Sequence, residues 1–431
     1  MIIIFLGLLL MTCFIFDQKN FIFSVIIFYV VYAMFDGFYK EMKVFAAIRY
    51  ILPALLLILY IIANKALRTA DLIFFIVAGY LMTLLIFNHG NLIWSAKHAV
   101  AILIALMMLI VGRFMGSKID FLKEFEPYNR FLLISIPIYI VFSNIFHIGE
   151  SYSSSFTTGF LETNRMYIVP IVTFLGIQYI LSEKKTTVFL KSLDITFIFV
   201  NIVIMIVTTR RTSLLLLLAG IVIYSLLNKK VIFQVLVIFV VLMAGLILAY
   251  PLYKAPLEAQ LEERERIQNL ESYDQEGRYL ETFYLYQELK NSGSPSKLFF
   301  GIKFFDSVDF GIKYFGVGRG IHSDINFIMF STGLVGVLLF LILIINYLII
   351  GNAKIPRKNR QVYYPLLAMF FMVLIPGRFI ANFTYAPFLM LALSALKHGK
   401  TYYKPKKIIY KKSKKVLTHN ISKNYARPHL N

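Results

Sequence analysis

The chain has 431 residues, of which 59% are hydrophobic and 16% charged, and its mean hydropathy is +0.72. Soluble domains carry about 45–50% apolar and about 25% charged residues, so a soluble globular protein is excluded, as are collagen, intrinsic disorder and a disulfide-stapled secreted fold. The formal net charge of +21 gains meaning only from where it sits.

Apolar runs with almost no charge recur along the chain. Their cores lie near 2–16, 21–35, 45–63, 72–87, 99–112 and 131–146 in the first half. The second half adds 166–181, 193–207, 213–227, 231–251, 325–350, 362–377 and 380–396. A bilayer crossing takes roughly 20 apolar residues, and flanking Tyr, Trp and Lys extend the shorter cores into the interface. The expectation is an all-α polytopic membrane protein with 12 or 13 transmembrane helices. Residues 2–16 lack a basic leading segment and a small-residue cleavage site, which argues against a removable signal peptide. Cys13 lies in this first run and says nothing about redox compartment.

Lys and Arg set the orientation. The tail 397–431 holds eleven of them and no acid; Lys354, Arg357, Lys358 and Arg360 mark one connector, Lys184, Lys185 and Lys191 a second, and Lys229 and Lys230 a third. All fall on one side if that side is the cytoplasm, with the N-terminus outside and the C-terminus inside. The tail lysines (Lys404, Lys406, Lys407, Lys411, Lys412, Lys414 and Lys415) suit anionic membrane lipids, each charge contributing ~1 kcal/mol near the surface. Nucleic acid is not an expected partner.

Four regions follow: membrane helices in 1–251, a large extracytoplasmic loop in 252–324, C-terminal membrane helices in 325–396 and the basic tail 397–431. The loop carries nine basic and twelve acidic residues. Its composition predicts helices over 254–272 and 276–291, then irregular backbone over 298–320 on the membrane surface. A long structured loop in a compact protein is usually functional. No repeat of 20–50 residues is visible, nor an inverted repeat of the kind found in many secondary transporters.

No Walker A, Rossmann or zinc-protease motif is present, and no metal or other cofactor is called for. The informative residues are charges at the outer helix ends. Arg210 and Arg211 interrupt an otherwise apolar stretch in the turn Thr208-Thr-Arg-Arg-Thr212. Two guanidinium forks at a helix start make a phosphate cradle; the bland alternative is contact with lipid phosphates. His322 stands in Gly318-Arg-Gly-Ile-His-Ser-Asp-Ile-Asn326 between Arg319 and Asp324, where it would be a base or hydrogen-bond donor, or an inert surface histidine. Arg278 would contact phosphate or sugar, or pair with Glu281 or Glu276; Arg165 is similar, and Arg378 reads as an interface anchor. Glu150, Glu162 and Asp324 are weaker candidates for a catalytic carboxylate. Asp274 with Glu276, and Asp306 with Asp309, read as solvated surface. Phe299, Phe300, Phe304, Phe305, Phe310, Tyr314 and Phe315 would line a sugar or prenyl site.

The chain resembles the O-antigen ligase and polymerase superfamily of bacterial envelope polysaccharide enzymes. Thr209-Arg-Arg-Thr-Ser-Leu-Leu-Leu-Leu-Leu218 is similar to that family's arginine followed by a Leu-rich helix, with Arg211 in the matching position. Gly277-Arg-Tyr-Leu-Glu-Thr-Phe283 with Leu298-Phe-Phe-Gly301 resembles its loop-helix segment, and His322 through Gly336 its His-Asn/Ser and Gly-Leu-x-Gly motif. Arg210 replaces the usual serine, and Thr282 stands where a tryptophan is expected.

The resemblance implies a membrane fold of the GT-C glycosyltransferase type, in the bacterial inner membrane, with its active site on the extracytoplasmic side. It implies inverting, metal-independent transfer from an undecaprenyl-diphosphate-linked oligosaccharide, with a chain-length regulator as a further partner. Arg211, Arg278 and His322 would be catalytic, and Arg210, Arg211, Arg278 and Arg319 would bind the diphosphate. Polymerisation of O-antigen, capsule or exopolysaccharide repeat units is the leading reading. Ligation to a lipid A core and a lipid-linked oligosaccharide flippase are the alternatives, the last disfavoured by the long outer loop.

Overall fold

The computed structural model describes residues 2–39, 42–88, 90–149, 156–161, 163–182, 187–208, 210–267, 277–375, 379–380 and 382–399. Among these, all regular structure is helical. Helices α1 (Ile2–Phe16), α2 (Gln18–Phe35), α3 (Lys43–Ala63), α4 (Leu72–Ile86) and α5 (Leu92–Gly116) open the chain. Next come α6 (Phe121–Ile145), α7 (Ile168–Leu181), α8 (Val188–Val207), α9 (Arg211–Leu227) and α10 (Ile232–Ile267). The loop region holds α11 (Gly277–Ser292), α12 (Pro295–Phe300) and α13 (Val308–Phe315). Helices α14 (Asp324–Ile344), α15 (Arg357–Leu374) and α16 (Ala386–Lys397) follow.

Among the described residues, seven helices are long and apolar enough to cross a membrane, and α9 with the segment Lys229–Val237, bent by 113°, makes an eighth if taken as one span. This is fewer than the 12 or 13 crossings expected from hydropathy alone. Three further apolar helices are shorter: Ile2–Phe16, Ala47–Ala63 and Ala386–Lys397. The fifteen residues of α1 reach only about 22 Å at 1.5 Å per residue, against a hydrocarbon core of about 30 Å. Every residue of α16 is buried, so protein contacts and not lipid thickness set its length.

Helix α16 packs closely on α5. Gly112 and Gly116, one turn apart on α5, face the backbone of α16. A Cβ at Gly112 would lie 2.5 Å from the Leu391 carbonyl oxygen, and one at Gly116 would lie 2.1 Å from that of Ala395. Ser394 closes the contact by donating its hydroxyl to the Leu109 carbonyl at 2.5 Å. Without a hydrophobic drive between helices in lipid, such close backbone approach is what holds them together.

The helix interiors, nearly uncharged on sequence, contain paired ions. Arg113 of α5 grips both oxygens of Asp71 at 2.5 and 2.6 Å and also donates to the Ala66 carbonyl. Arg130 of α6 holds Asp194 of α8 in the same forked way, at 2.7 and 2.8 Å. Each fork joins two helices and satisfies a buried carboxylate that would otherwise be costly.

The loop region is more ordered than expected. Helix α10 passes position 251 without a break, and the stretch read as irregular contains α12 and α13. Helix α12 docks on a break in α14 at Gly333 (φ 62°). A Cβ at Gly333 would meet the Phe299 carbonyl carbon at 2.4 Å, and one at Gly301 (φ 95°) would meet Ser331 at 2.6 Å. The freed Phe330 carbonyl accepts the Ile302 N–H at 2.7 Å. These two glycines, both part of the family-like motifs, thus permit backbone contact between the loop and the bundle.

Gly116→Val is expected to force α5 and α16 apart and destabilise the bundle by about 1–3 kcal/mol, the usual cost of overpacking. Thermal unfolding of the purified protein in detergent measures this; an unchanged midpoint contradicts the packing described.

Candidate functional site

Helix α11 ends at Gly293, whose left-handed φ of 57° stops it. Glu281, Leu285 and Glu288 fall at i, i+4 and i+7 and so share one face. That face turns toward α13 and the start of α14: Leu285 is buried, and Glu288 accepts from Lys313 at 2.5 Å and from the Tyr314 hydroxyl.

Glu281 is 1% exposed and accepts three hydrogen bonds. The donors are Arg319 (2.8 Å), the His322 backbone N–H (3.0 Å) and His322 Nδ1 (2.8 Å). Because a carboxylate only accepts, Nδ1 carries the proton in a neutral His322 and Nε2 is left as the acceptor. Arg319 also lies over the Phe315 ring, 3.7 Å from its centroid. Burial pushes the Glu281 carboxyl upward, but the His322 ring, the His322 N–H and the Arg319 charge outweigh it, and the pKa is held below the ordinary Glu value.

A cavity of about 430 Å³ lies beside this cluster, bounded by Gly318, Gly320 and Ile321 of the same loop. Its other walls are Arg49 and Tyr50 of α3, Trp94, Lys97 and His98 of α5, Arg165, and Asn382 and Phe383. Asp36 binds two of these cations, Arg165 at 2.5 Å and Arg49 at 3.0 Å. Arg49 is further held over Phe383, 4.9 Å from the ring centroid. Arg165 also donates to the Phe160 carbonyl. His98 donates through Nδ1 to the Trp94 carbonyl and stacks on Phe305. Three cations beside one carboxylate, which binds two of them, make a concave, electropositive site.

The sequence-predicted residues divide accordingly. Glu281 brings Arg319 and His322 together, and Arg165 lines the cavity. Asp324 is fully buried and accepts the N–H groups of Phe379 and Ile380 at 2.6 and 3.1 Å, a tie between segments with no access for substrate. Arg210 and exposed Arg211 begin α9, which packs on α7, α8 and α15, and neither lines the cavity. Arg278 lies in the first turn of α11, but its side chain, like Glu150, Glu162, Asp274, Glu276, Arg378 and the tail lysines from Lys404 onward, falls outside the described residues.

Two groups differ from expectation. Asp306, read as solvated surface, is 7% exposed, pairs with Lys303 at 2.9 Å and accepts the Asn91 N–H, so it anchors the loop to the start of α5. Asp309 is exposed as expected. Of the loop aromatics, Phe304, Phe305 and Phe310 are core, Phe310 packs on Phe330, and Tyr314 stacks on Tyr284. Only Phe299 and Phe300 remain markedly exposed, and none of the seven lines the cavity.

Sequence does not single out Arg49, Lys97 or His98, and it names Glu281 only as a partner for Arg278. Arg49, Lys97 and His98 are ionisable residues near helix ends, the criterion that drew attention to Arg211. Glu281 had no such signal, because its partners lie 38 and 41 positions away. The chain matches no protein-family model, no curated protein and no solved structure.

Glu281→Gln removes the charge that three donors share, and the docking of residues 319–322 is expected to weaken by about 1–3 kcal/mol. Since the folded carboxyl is more acidic than the unfolded one, the wild-type contribution is complete above the ordinary Glu pKa of about 4.3 and lost as pH falls below it. Hydrogen exchange at residues 319–322, corrected for intrinsic rates, reads both effects. The variant should exchange faster at neutral pH and lack the acid-dependent loosening.

Proposed function

We propose that this chain is a bacterial inner-membrane glycosyltransferase that polymerises envelope polysaccharide repeat units. In this reading it transfers glycan from an undecaprenyl-diphosphate donor to a lipid-linked acceptor with inversion, on the extracytoplasmic side. The observation that supports it most is the electropositive cavity formed by Arg49, Lys97 and Arg165, bordered by the loop that carries His322.

The acceptor hydroxyl oxygen attacks the anomeric carbon from the face opposite the diphosphate. The bond from that carbon to the diphosphate oxygen breaks, and its electron pair leaves on the oxygen. The cavity cations stabilise the charge that develops there; being already held by Asp36, Phe160 and Phe383, the two arginines need little reorganisation. The hydroxyl proton passes to Nε2 of His322, and Glu281, bonded to Nδ1, orients the ring and stabilises the imidazolium. Arg319, between the cavity-lining Gly318 and Gly320, keeps the diphosphate contact that the resemblance implies. Arg211 and Arg278 keep the diphosphate-binding role that the resemblance implies, with Arg210 beside them.

His322→Ala is expected to lower polymer formation by about 10²–10⁴, as loss of a general base does. Arg165→Ala and Arg211→Ala are expected to lower it by about 10²–10³ each, as loss of a preorganised charge does. Polysaccharide ladders from a strain complemented with each variant, beside a check of membrane insertion, measure this. Wild-type ladders from both His322→Ala and Arg165→Ala would refute the assignment. Loss with Arg165→Ala but not Arg211→Ala would put the diphosphate in the cavity, and the reverse would put it at the start of α9.

A further inference from the structure

Helix α5 builds one wall of the electropositive cavity. Trp94, Lys97, His98 and Ala101 fall at i, i+3, i+4 and i+7, and all four line it. Trp94 is 47% exposed. His98 steadies it: Nδ1 donates to the Trp94 carbonyl at 2.9 Å, and the two ring centroids lie 5.0 Å apart.

The three cations of the cavity differ in how they are held. Asp36 binds Arg49 and Arg165, but among the described residues no carboxylate pairs with Lys97. Its ammonium lies 6.0 Å from the centroid of the Tyr50 ring, which Arg49 approaches at 5.9 Å. A half-buried ammonium beside aromatic rings is short of hydration, so a charged ligand group stabilises it more than a hydroxyl does. Neighbouring groups on the wall also call for acceptors. Asn382 Oδ1 already accepts from the Thr384 N–H, the Thr384 hydroxyl and the Tyr385 N–H, which leaves the amide NH2 for a ligand. The indole N–H of Trp94 only donates.

We propose that the α5 wall is a subsite for an acidic sugar, a uronate residue of the glycan, with its carboxylate on Lys97 and its apolar ring face against Trp94. Lys97 then selects the charge of the saccharide, and Arg49 and Arg165, braced by Asp36, take the leaving group. A neutral hexose would fill the same space and leave the ammonium without a counter-charge. An anion that is not a sugar would pair with Lys97 and leave the indole uncovered. The choice of a saccharide rests on the glycan transfer proposed above; its acidity comes from the α5 wall.

Trp94 is the one tryptophan in the chain, so its emission reports on this wall. The purified protein in detergent is titrated with the methyl glycosides of glucuronate and galacturonate, those of glucose and galactose, and inorganic diphosphate, with calorimetry beside fluorescence. At least one uronate glycoside should shift Trp94 emission and bind at least roughly tenfold more tightly than its neutral counterpart, the gain expected of one charge-assisted hydrogen bond. Lys97→Gln should abolish that preference while weakening inorganic diphosphate less, and Lys97→Arg should keep it. Equal binding of uronate and neutral glycosides, a preference that survives Lys97→Gln, or no saturable binding of any glycoside overturns the proposal. So does a loss in Lys97→Gln as large for inorganic diphosphate as for the uronates, which would put the leaving group on Lys97. Sugar analysis of the polysaccharide that disappears when the gene is deleted separates this proposal from the enzyme reading. Loss of an uncharged polymer would refute the acidic subsite and keep the enzyme; uronate binding as described with no polymer lost would do the opposite.

Discussion

A carboxylate taken out of water must be given donors, and that constraint organises this molecule more than any single helix contact. Asp71, Asp194, Glu281, Asp306 and Asp324 are all buried, and Asp36 is nearly so. Each is satisfied by groups from elsewhere in the chain: Asp71 by Arg113, Asp194 by Arg130, Glu281 by Arg319 and His322, Asp306 by Lys303 and the Asn91 N–H, Asp324 by the Phe379 and Ile380 N–H groups. Removing a donor would leave a buried charge less well compensated, so each carboxylate favours one register of the segments it joins. Apolar packing in a membrane is weakly directional; these bonds supply the direction.

The same constraint accounts for the site. His322 is held on two sides by acids. Glu281 takes its backbone and ring N–H, and Asp324, two residues on, ties the start of α14 to the segment before α16. That segment continues to Asn382 and Phe383, which line the electropositive cavity, and Thr384, which donates to the Arg165 carbonyl. The histidine loop, the cavity wall and the arginine pair are therefore one bonded unit, although their residues span positions 36 to 384.

Sequence made the broad architecture legible because hydropathy reports membrane burial directly. The end of α11 and the start of α14 are close to expectation, since the cluster Ser292-Gly-Ser-Pro295 and the pair Ser323-Asp324 mark such boundaries locally. The number of full-length crossings was not legible. An apolar run such as 2–16 or 380–396 looks the same whether lipid or protein covers it, and α16 is covered by protein. Asp306 and the loop aromatics were misjudged for a related reason: their burial comes from packing against α5 and α14, which no local pattern encodes. Glu281 illustrates the limit most sharply, as one of twelve acids in the loop with nothing local to distinguish it.

The glycines of the family-like motifs show how packing and chemistry become joined in one pattern. Gly301 and Gly333 each face backbone atoms of the other segment, which lets α12 lie against the break in α14. That contact sets where the chain re-enters the loop after Gly301, and so positions Asp306, which pairs with Lys303 and accepts the Asn91 N–H at the start of α5. Helix α5 in turn presents Trp94, Lys97 and His98 to the cavity. A bulkier residue at either glycine would push on backbone atoms that cannot yield, and the displacement would reach the cavity without touching it. The motif around His322 is thus as much a description of how the loop is seated as of the histidine itself, and that is why glycines and a histidine occur together in it.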